Sequence, residues 1–319
     1  MAVRTHSQAP ARLREARLFP WERRLFSLDR IMVTTQNRSP RRGAAAGAAS
    51  NAPVGPEVGT RLSAQEIHDN VLQAAEEEMS RPAWDLLWSA VTAGLTIGWS
   101  FVGGAYAATL VAPEYRHAIA AAVYPLGFIL VIIGRSQLFT ENTLEPVIPV
   151  LAKPSRVTVG KMLRLWAIVL GGNLTGAVAF GALFARTSVV SQAVRESMLN
   201  LGGVLLNGGF GEQFYHAIFA GWLIALTAWL VAATTQTGAQ IFLIWLTTAP
   251  IAALDFRHSI AGSVEVLFVA ASGHATWAAA GMFILPAVLG NIVGGVTFVA
   301  MLNHGQVSTS VVARARRKR

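Results

Sequence analysis

Apolar residues fall in six long blocks along the chain, with short polar connections between them. The blocks cover residues 84–110, 118–152, 165–184, 216–233, 241–271 and 275–302. Blocks of this kind are typical of transmembrane helices, which need about 20 apolar residues to cross a bilayer. The pattern predicts an all-α integral membrane protein with six transmembrane helices.

The second and fifth blocks are each interrupted by polar residues. In the fifth block, the segment LDFRHSIAGSVE over 254–265 places Asp255, Arg257 and His258 between two short apolar runs. In the second block, the polar segment RSQLFTENTLE over 135–145 likewise separates two apolar runs. Charged groups at membrane depth are costly unless they face protein or water, and irregular backbone there must line a cavity or be buried. Both blocks therefore predict broken helices beside a functional cavity.

The two interrupted blocks are related by a weak internal repeat. Thr140 precedes Asn173 by 33 residues and His258 precedes Asn291 by the same 33, so the two sets are offset by 118 residues. Each asparagine lies in a similar GNxxG sequence. Two halves of three spans each must be inverted relative to one another, which predicts a 3+3 repeat whose broken helices meet near the membrane midplane.

Composition supports one membrane domain, with 53% hydrophobic and 13% charged residues. The absence of cysteine excludes disulfides, thiolate metal sites and cysteine nucleophiles. Residues 1–61 contain eleven arginines, the C-terminus ends RARRKR, and the connection between the second and third spans is also basic. The positive-inside rule explains this charge better than nucleic-acid binding does, and it predicts a multi-pass membrane protein with both termini cytoplasmic.

Four regions follow from this reading of the chain. Residues 1–62 are expected to be a disordered basic extension, 63–81 an amphipathic interfacial helix that starts at the capping box of Ser63 and Glu66, 82–304 the six-helix channel domain, and 305–319 a basic cytoplasmic tail. Glycine pairs in the connection 186–212 predict turns there.

The chemistry of the two breaks favours an anion path. Half-helices beginning near Asn142 and Ser259 would direct two positive helix ends at the midplane. Thr140 adds a hydroxyl donor, and His258 adds a ring N–H and a group able to pass a proton to a weak-acid anion. The alternative for His258 is a buried histidine bonded to a backbone carbonyl. Nucleotide, redox and metal-ligand motifs are missing from the sequence. We therefore expect no cofactor, no bound metal ion and no enzymatic activity.

Three sequence motifs, taken in their order along the chain, resemble those of the formate/nitrite transporter family, and their residues are most similar to those of its YfdC-like branch. They are GRSQLFT at 134–140 followed by Asn142, FRHSIA at 256–261, and GNIVGG at 290–295. The resemblance extends from about residue 65 to 302. It implies an aquaporin-like six-helix protomer in the bacterial inner membrane, assembled as a homopentamer with one pore per protomer. Small anions and membrane lipids are implied as further partners, and Thr140 and His258 as central pore residues beside the apolar gate residue Leu138.

The same resemblance implies a wider set of pore or substrate-binding residues. They are Thr140, His258, Leu138, Phe139, Tyr124, Phe128, Ile251, Ala225, Asn142, Glu141, Arg257, Asn173 and Asn291. Several depart from the family pattern: Tyr124 and Ile251 stand at the aromatic constriction positions, Ala225 at that of an asparagine, and Arg257 where an acid often precedes the histidine. Because Glu141 departs as well, the two charges are expected to form a buried pair.

The predicted function is a channel or proton-coupled transporter for small monovalent weak-acid anions of the formate or nitrite type. The alternative is a poorly conducting membrane scaffold or sensor of the same fold, which uses its basic N-terminal extension to bind a partner or anionic lipid.

Overall fold

The computed structural model describes residues 62–301, 303 and 305, and every regular element within them is helical. The α-helices are α1 (Ala64–Ser80), α2 (Ala83–Thr96), α3 (Gly98–Thr109), α4 (Arg116–Val123), α5 (Pro125–Ile133), α6 (Val147–Ala152), α7 (Arg156–Arg186), α8 (Gln192–Leu205), α9 (Phe210–Val231), α10 (Thr237–Ala253), α11 (Ser259–Ala271) and α12 (Trp277–Gly295). Short 3₁₀-helices lie at Pro113–Tyr115 and Glu141–Thr143, and a π-helical segment at Val296–Met301 follows α12. The predicted extension over 1–61 and the tail beyond 305 lie outside the described residues.

The six apolar blocks of the sequence are confirmed as spans, two of them broken. Five helical segments are long and apolar enough to cross a membrane: Ala83–Thr109, Pro113–Ile133, Arg156–Arg186, Phe210–Val231 and Trp277–Gly295. The fifth block instead consists of the shorter apolar helices α10 and α11. The second block continues past α5 through an irregular segment into α6. The chain is thus a multi-pass membrane protein.

Each half of the repeat is built on one tightly packed helix pair, α2 with α7 and α9 with α12. A side chain at Gly94 would place its Cβ 2.1 Å from the Asn173 carbonyl oxygen, and one at Gly221 would lie 2.3 Å from that of Asn291. Only glycine allows backbones to approach this closely. The inverted 3+3 arrangement that the sequence predicts is therefore present in the packing as well.

The helices before the two breaks end in the same way. Ser136 and Phe256 donate backbone N–H groups to the carbonyls of Val131 and Ile251, five residues earlier, which is the hydrogen-bond pattern of a Schellman motif. The residues at the turn itself, Arg135 (φ 53°) and Asp255 (φ 52°), have left-handed backbone conformations without being glycine. Both spans are therefore stopped by a specific local structure.

The expectation of a half-helix beginning near Asn142 is wrong, whereas the one near Ser259 is confirmed. The chain after Thr140 forms only the 3₁₀-helix Glu141–Thr143, and α6 begins later, at Val147. Pro146 explains the delay, because it lacks an N–H group and disfavours helical geometry at the residue before it. The second break is followed directly by the thirteen residues of α11.

The connection between the third and fourth spans is also more ordered than predicted. Instead of turns alone, it contains α8, which packs against α3 and α11. Gly202 lies in this helix, where a Cβ would be 2.9 Å from the Glu265 carbonyl oxygen. The glycines here therefore allow close helix packing, and α8 covers one end of the bundle.

The amphipathic helix α1 begins at the predicted capping box. The Ser63 hydroxyl accepts from the Glu66 backbone N–H, and the Glu66 carboxylate accepts from the Ser63 backbone N–H, which holds the pKa of Glu66 below its usual value. Val71 on its apolar face packs in a cluster with Leu144, Ile148 and Trp229. The helix thus closes one end of the bundle with its apolar face.

Candidate functional site

The two breaks meet at a hydrogen bond between Thr140 and His258. Thr140 Oγ1 and His258 Nε2 are 2.9 Å apart, and both side chains are buried, with exposed fractions of 0% and 1%. Thr140 comes from the irregular segment after α5, and His258 is the residue before α11. The residues that the internal repeat aligns are therefore in direct contact.

His258 caps α11 through its ring. Its Nδ1 accepts backbone N–H groups from Ile260 at 3.2 Å and Ala261 at 3.1 Å. A nitrogen that accepts two hydrogen bonds cannot also carry a proton, so the proton of a neutral ring is on Nε2, where it is donated to Thr140. These contacts hold the imidazole neutral with one N–H directed at the threonine hydroxyl.

Asn173 holds the first break in place. Its Oδ1 accepts the Phe139 backbone N–H at 2.8 Å, and its Nδ2 donates to the carbonyls of Ala90 and Gln137, each at 2.8 Å. Since Ala90 lies in α2, the side chain joins three parts of the first repeat. Backbone that has left helical geometry is thereby satisfied at membrane depth.

Asn291 does the same for the second break. Its Oδ1 accepts the Ser259 backbone N–H at 2.8 Å, and its Nδ2 donates to Ala217 at 2.7 Å and Arg257 at 3.0 Å. Both asparagines are fully buried. Their amides are thus engaged with backbone groups rather than directed at a cavity.

Two cavities approach the Thr140–His258 contact. The first, of about 110 Å³, includes Ser100, His117, Tyr124, Arg257, His258 and Glu265 in its wall, and is here named the histidine vestibule. The second, of about 490 Å³, includes Glu78, Arg135, Gln137, Glu141, Glu145 and Thr234, and is named the acidic vestibule.

The vestibules lie at opposite ends of the same helices. α10 runs from Thr237 at the acidic vestibule to Ala252 at the histidine vestibule. A helix of that length extends by roughly 22 Å at 1.5 Å per residue. The second span likewise runs from His117 at the histidine vestibule to Ile133 at the acidic one. This is the geometry of a transmembrane pathway with the buried Thr140–His258 pair between its two mouths.

Aromatic rings lie next to the pair on the histidine side. The Phe128 ring contacts His258 edge-on with centroids 4.9 Å apart, and the Tyr124 ring lies 5.2 Å from that of Phe128. Ile251 is fully buried in the main apolar core. Of the two predicted constriction residues, Tyr124 therefore lies near His258, next to the pore residue Phe128, whereas Ile251 lies in the core.

Four other predicted residues are buried in packing contacts. Leu138 belongs to the main core, and Phe139 packs edge-on against Trp166 at 6.1 Å. Ala225 lies in the apolar cluster beneath α1. Asn142 Nδ2 donates to Gln137 Oε1 at 3.0 Å and so remains within its own irregular segment.

The predicted pair of Glu141 and Arg257 is absent from the part of the chain that the structure describes. Arg257 Nε donates to Gln213 Oε1 at 2.9 Å and Nη1 to the Asp255 carbonyl at 3.0 Å, at the histidine vestibule. Glu141 faces the acidic vestibule instead. The prediction is wrong because the two breaks reach the Thr140–His258 contact from opposite sides. The residues next to Thr140 and His258 therefore face opposite mouths.

Two residues of the site were not singled out from the sequence. Gln213 anchors Arg257, and its own amide donates to the carbonyls of Leu205 and Asn207. Glu265 lies in α11 with 9% of its surface exposed, at the wall of the histidine vestibule. A lone carboxylate within an apolar helix is a signal that could have identified Glu265.

The described residues contain no group of three His, Asp or Glu side chains placed to bind a metal ion. The fold and the buried pair between two mouths define a polytopic membrane protein of the channel type.

Comparison with known proteins gives the family. A model of the formate/nitrite transporter family matches residues 65–305, so this chain belongs to that family. It is 36% identical over 261 residues to the inner membrane protein YfdC of Escherichia coli, covering 80% of this chain and 84% of that protein. It is 31% identical over 202 residues to a probable formate transporter of Methanothermobacter thermautotrophicus, covering 57% and 72% of the two chains.

Two solved structures share the fold. One is described as an FNT family ion channel, with a TM-score of 0.64 and 23% identity over 75% of this chain and 96% of that one. The other is a pentameric formate channel with formate bound, with a TM-score of 0.56 and 22% identity over 69% and 95% of the two chains.

Proposed function

We propose that this protein conducts small monovalent weak-acid anions, of which formate and nitrite are the type, between its two vestibules. The observation that carries the proposal is the buried Thr140–His258 hydrogen bond, which joins the two broken spans between the two mouths. Relatives named for formate and nitrite transport support the choice of anion.

The proposed roles follow from the hydrogen bonds. Because His258 Nε2–H is donated to Thr140 Oγ1, the threonine keeps its own hydrogen for an anion that enters the contact. The N-terminus of α11, immediately after His258, adds a favourable partial positive charge. Tyr124 and Phe128 form the apolar approach, while Asn173 and Asn291 position the breaks. A neutral acid crosses apolar surroundings more readily than its anion, so proton uptake near the site favours passage.

Assembly and location are proposed from the relatives. A pentamer is supported by the pentameric formate channel of the same fold and by the exposed aromatic side chains of Trp84, Trp88 and Trp277. The name of the Escherichia coli relative supports an inner-membrane location. The protein is proposed to act as a transporter or channel and not as an enzyme, without nucleic acid as a partner and with lipids around its apolar surface.

Uptake of labelled formate and nitrite into proteoliposomes tests the proposal. We expect His258→Phe to abolish flux, because the ring keeps its volume and loses the N–H that orients Thr140. His258→Asn retains an amide donor and should lose less. His274→Phe is the matched control, because His274 is an exposed histidine.

Flux by the wild-type protein that equals that of empty liposomes would contradict the proposed function. Normal flux in His258→Phe would instead reject the role of the Thr140–His258 contact alone. Deletion of residues 1–60 tests the alternative of a membrane scaffold or sensor. A channel should still conduct without that segment, whereas a scaffold should lose its partner.

A further inference from the structure

The histidine vestibule contains two buried side chains of opposite charge that the proposed pore mechanism does not use. Arg257 is 6% exposed and Glu265 9% exposed, and both lie in the vestibule wall. They come from positions on either side of the start of α11. No ion pair joins them among the described residues.

Arg257 is held rigidly and still has an unused donor. Its Nε and Nη1 are fixed by Gln213 and by the Asp255 carbonyl. Within the part of the chain that the structure describes, Nη2 donates to no protein acceptor. A fixed guanidinium nitrogen at the wall of a cavity is suited to a charge-assisted hydrogen bond with a carboxylate or nitrite oxygen.

Glu265 faces a cavity that is otherwise apolar over much of its surface. Its neighbours there include Phe101, Leu201 and Leu205. The buried part of the wall holds one carboxylate and one guanidinium, because the other carboxylate of the vestibule, Asp255, is exposed. A bound anion would leave this buried part with a net negative charge. Protonation of Glu265 restores neutrality, which is favoured where few waters can solvate an excess charge.

We propose that Arg257 binds the anion in the histidine vestibule and that Glu265 takes up a proton as the anion binds. This inference rests on the proposed function. By linkage, proton uptake strengthens anion binding to the same extent that the anion strengthens proton uptake. When the anion moves toward His258, the O–H bond of Glu265 breaks and one forms on the anion, which gives the neutral acid and restores the carboxylate opposite Arg257.

Other titratable groups near Glu265 are few within the described residues. His117, Tyr124, Asp255 and His258 share the vestibule with it. The neighbouring helices α3 and α12 carry no ionisable side chain apart from the exposed Tyr106. In α8 the charged residues are Arg195, which donates to the carbonyls of Phe184, Ala185 and Thr187, and the exposed Glu196. Arg186 is the charged residue at the vestibule end of α7. His258 is therefore the main rival as the proton acceptor.

The test is the dissociation constant of formate, measured by NMR saturation transfer on the full-length protein in detergent at about pH 6 and pH 8. Free formate is fully anionic at both values, so any pH dependence comes from the protein. We expect wild-type binding to weaken as pH rises, because the proton that accompanies the anion becomes scarcer. Glu265→Gln should bind with the same affinity at both values, whereas Glu196→Gln should behave as wild type.

Arg257→Gln should weaken binding at both pH values by roughly ten- to hundredfold, the range of one charge-assisted hydrogen bond. Arg186→Gln is the control, and thermal unfolding confirms that each variant is folded. Unchanged affinity in Arg257→Gln, or retained pH dependence in Glu265→Gln, would overturn the inference. So would loss of the pH dependence in His258→Asn. Absence of formate flux by the wild type would instead count against the proposed function.

Discussion

At the residue scale, the two asparagines of the repeat have the same structural role. Asn173 and Asn291 each accept one backbone N–H and donate to two backbone carbonyls, and each joins a break to the first helix of its own repeat. Breaks at membrane depth need such partners because water is scarce there. The asparagines are therefore proposed to preserve the pore geometry and not to contact the anion.

We expect Asn173→Ala and Asn291→Ala each to destabilise the protein by about 3 kcal/mol or more, because three buried backbone groups lose their partner in each case. Thermal unfolding in detergent should show a fall of roughly 5–10 °C. Asn173→Asp should not rescue stability, since it keeps the acceptor for Phe139 but sets a buried carboxylate oxygen against the carbonyls of Ala90 and Gln137. Asn200→Ala, at an exposed asparagine, is the control. Equal stability of Asn173→Ala and Asn200→Ala would mean that the break is held by other contacts.

The sequence predicts the contact between Thr140 and His258 but not the directions of their neighbours. The repeat places aligned residues at equal depth, which was sufficient for that pair. The two helix ends, at Arg135 and Asp255, are 120 residues apart, whereas Thr140 and His258 are 118 residues apart. The repeat does not reveal this difference. The first break is thus two residues longer than the second, and Glu141 and Arg257 face different mouths.

At the element scale, each repeat depends on close contact between its first and third helices. The backbones approach at Gly94 against α7 and at Gly221 against α12. These positions share a role but are 127 residues apart, so the sequence repeat alone did not align them. The glycines at 172, 176, 290 and 294, whose spacing is typical of close helix packing, lie in the same two contacts.

Gly94→Ala and Gly221→Ala should each cost about 3 kcal/mol or more, because the new methyl group meets a backbone oxygen that cannot move without separating the helices. Gly171 and Gly281 lie in α7 and α12 where an added methyl group would meet open space, so Gly171→Ala and Gly281→Ala are matched controls. Stability is measured as the fraction of folded oligomer remaining after heating. If the two pairs of variants lost equal amounts of folded protein, close packing would not be the cause.

The helices that the sequence missed or misplaced are those fixed by tertiary contacts. α8 contains paired glycines, which locally favour turns, but it becomes helical by packing against α3 and α11. α6 starts later than expected because of Pro146. The long spans were predicted well, since burial in a bilayer imposes a continuous apolar pattern that loops and short helices lack.

At the scale of the whole molecule, one end of the bundle carries most of the positive charge. α1, the connection between the second and third spans, and the segment Val296–Met301 all lie together at the acidic-vestibule end. Lys153 lies in that connection, and Arg156 and Lys161 lie at the start of α7. Acidic residues lie at both ends, but among the described residues the opposite end, near α8, has fewer Lys and Arg residues, which are the ones that the positive-inside rule counts. From the positive-inside rule we propose that the acidic vestibule faces the cytoplasm and the histidine vestibule the outside.

The absence of cysteine from the sequence allows this orientation to be tested with single cysteines. Pro154 is exposed at the cytoplasmic end in this arrangement, and Ser188 is exposed at the other end. In intact spheroplasts a membrane-impermeant maleimide should label Ser188→Cys, and it should label Pro154→Cys only after lysis. Inverted vesicles should give the reverse result. The fully buried Ser263→Cys should react only after denaturation.

Labelling of Pro154→Cys in intact spheroplasts, with Ser188→Cys protected, would reverse the assignment of the two mouths. In that case the Arg257–Glu265 site would face the cytoplasm, where it would collect anions for export. With the predicted orientation it faces the outside, where a more acidic medium supplies protons to Glu265. Anion binding would then be strongest when the external pH is low, and the proton gradient would favour uptake.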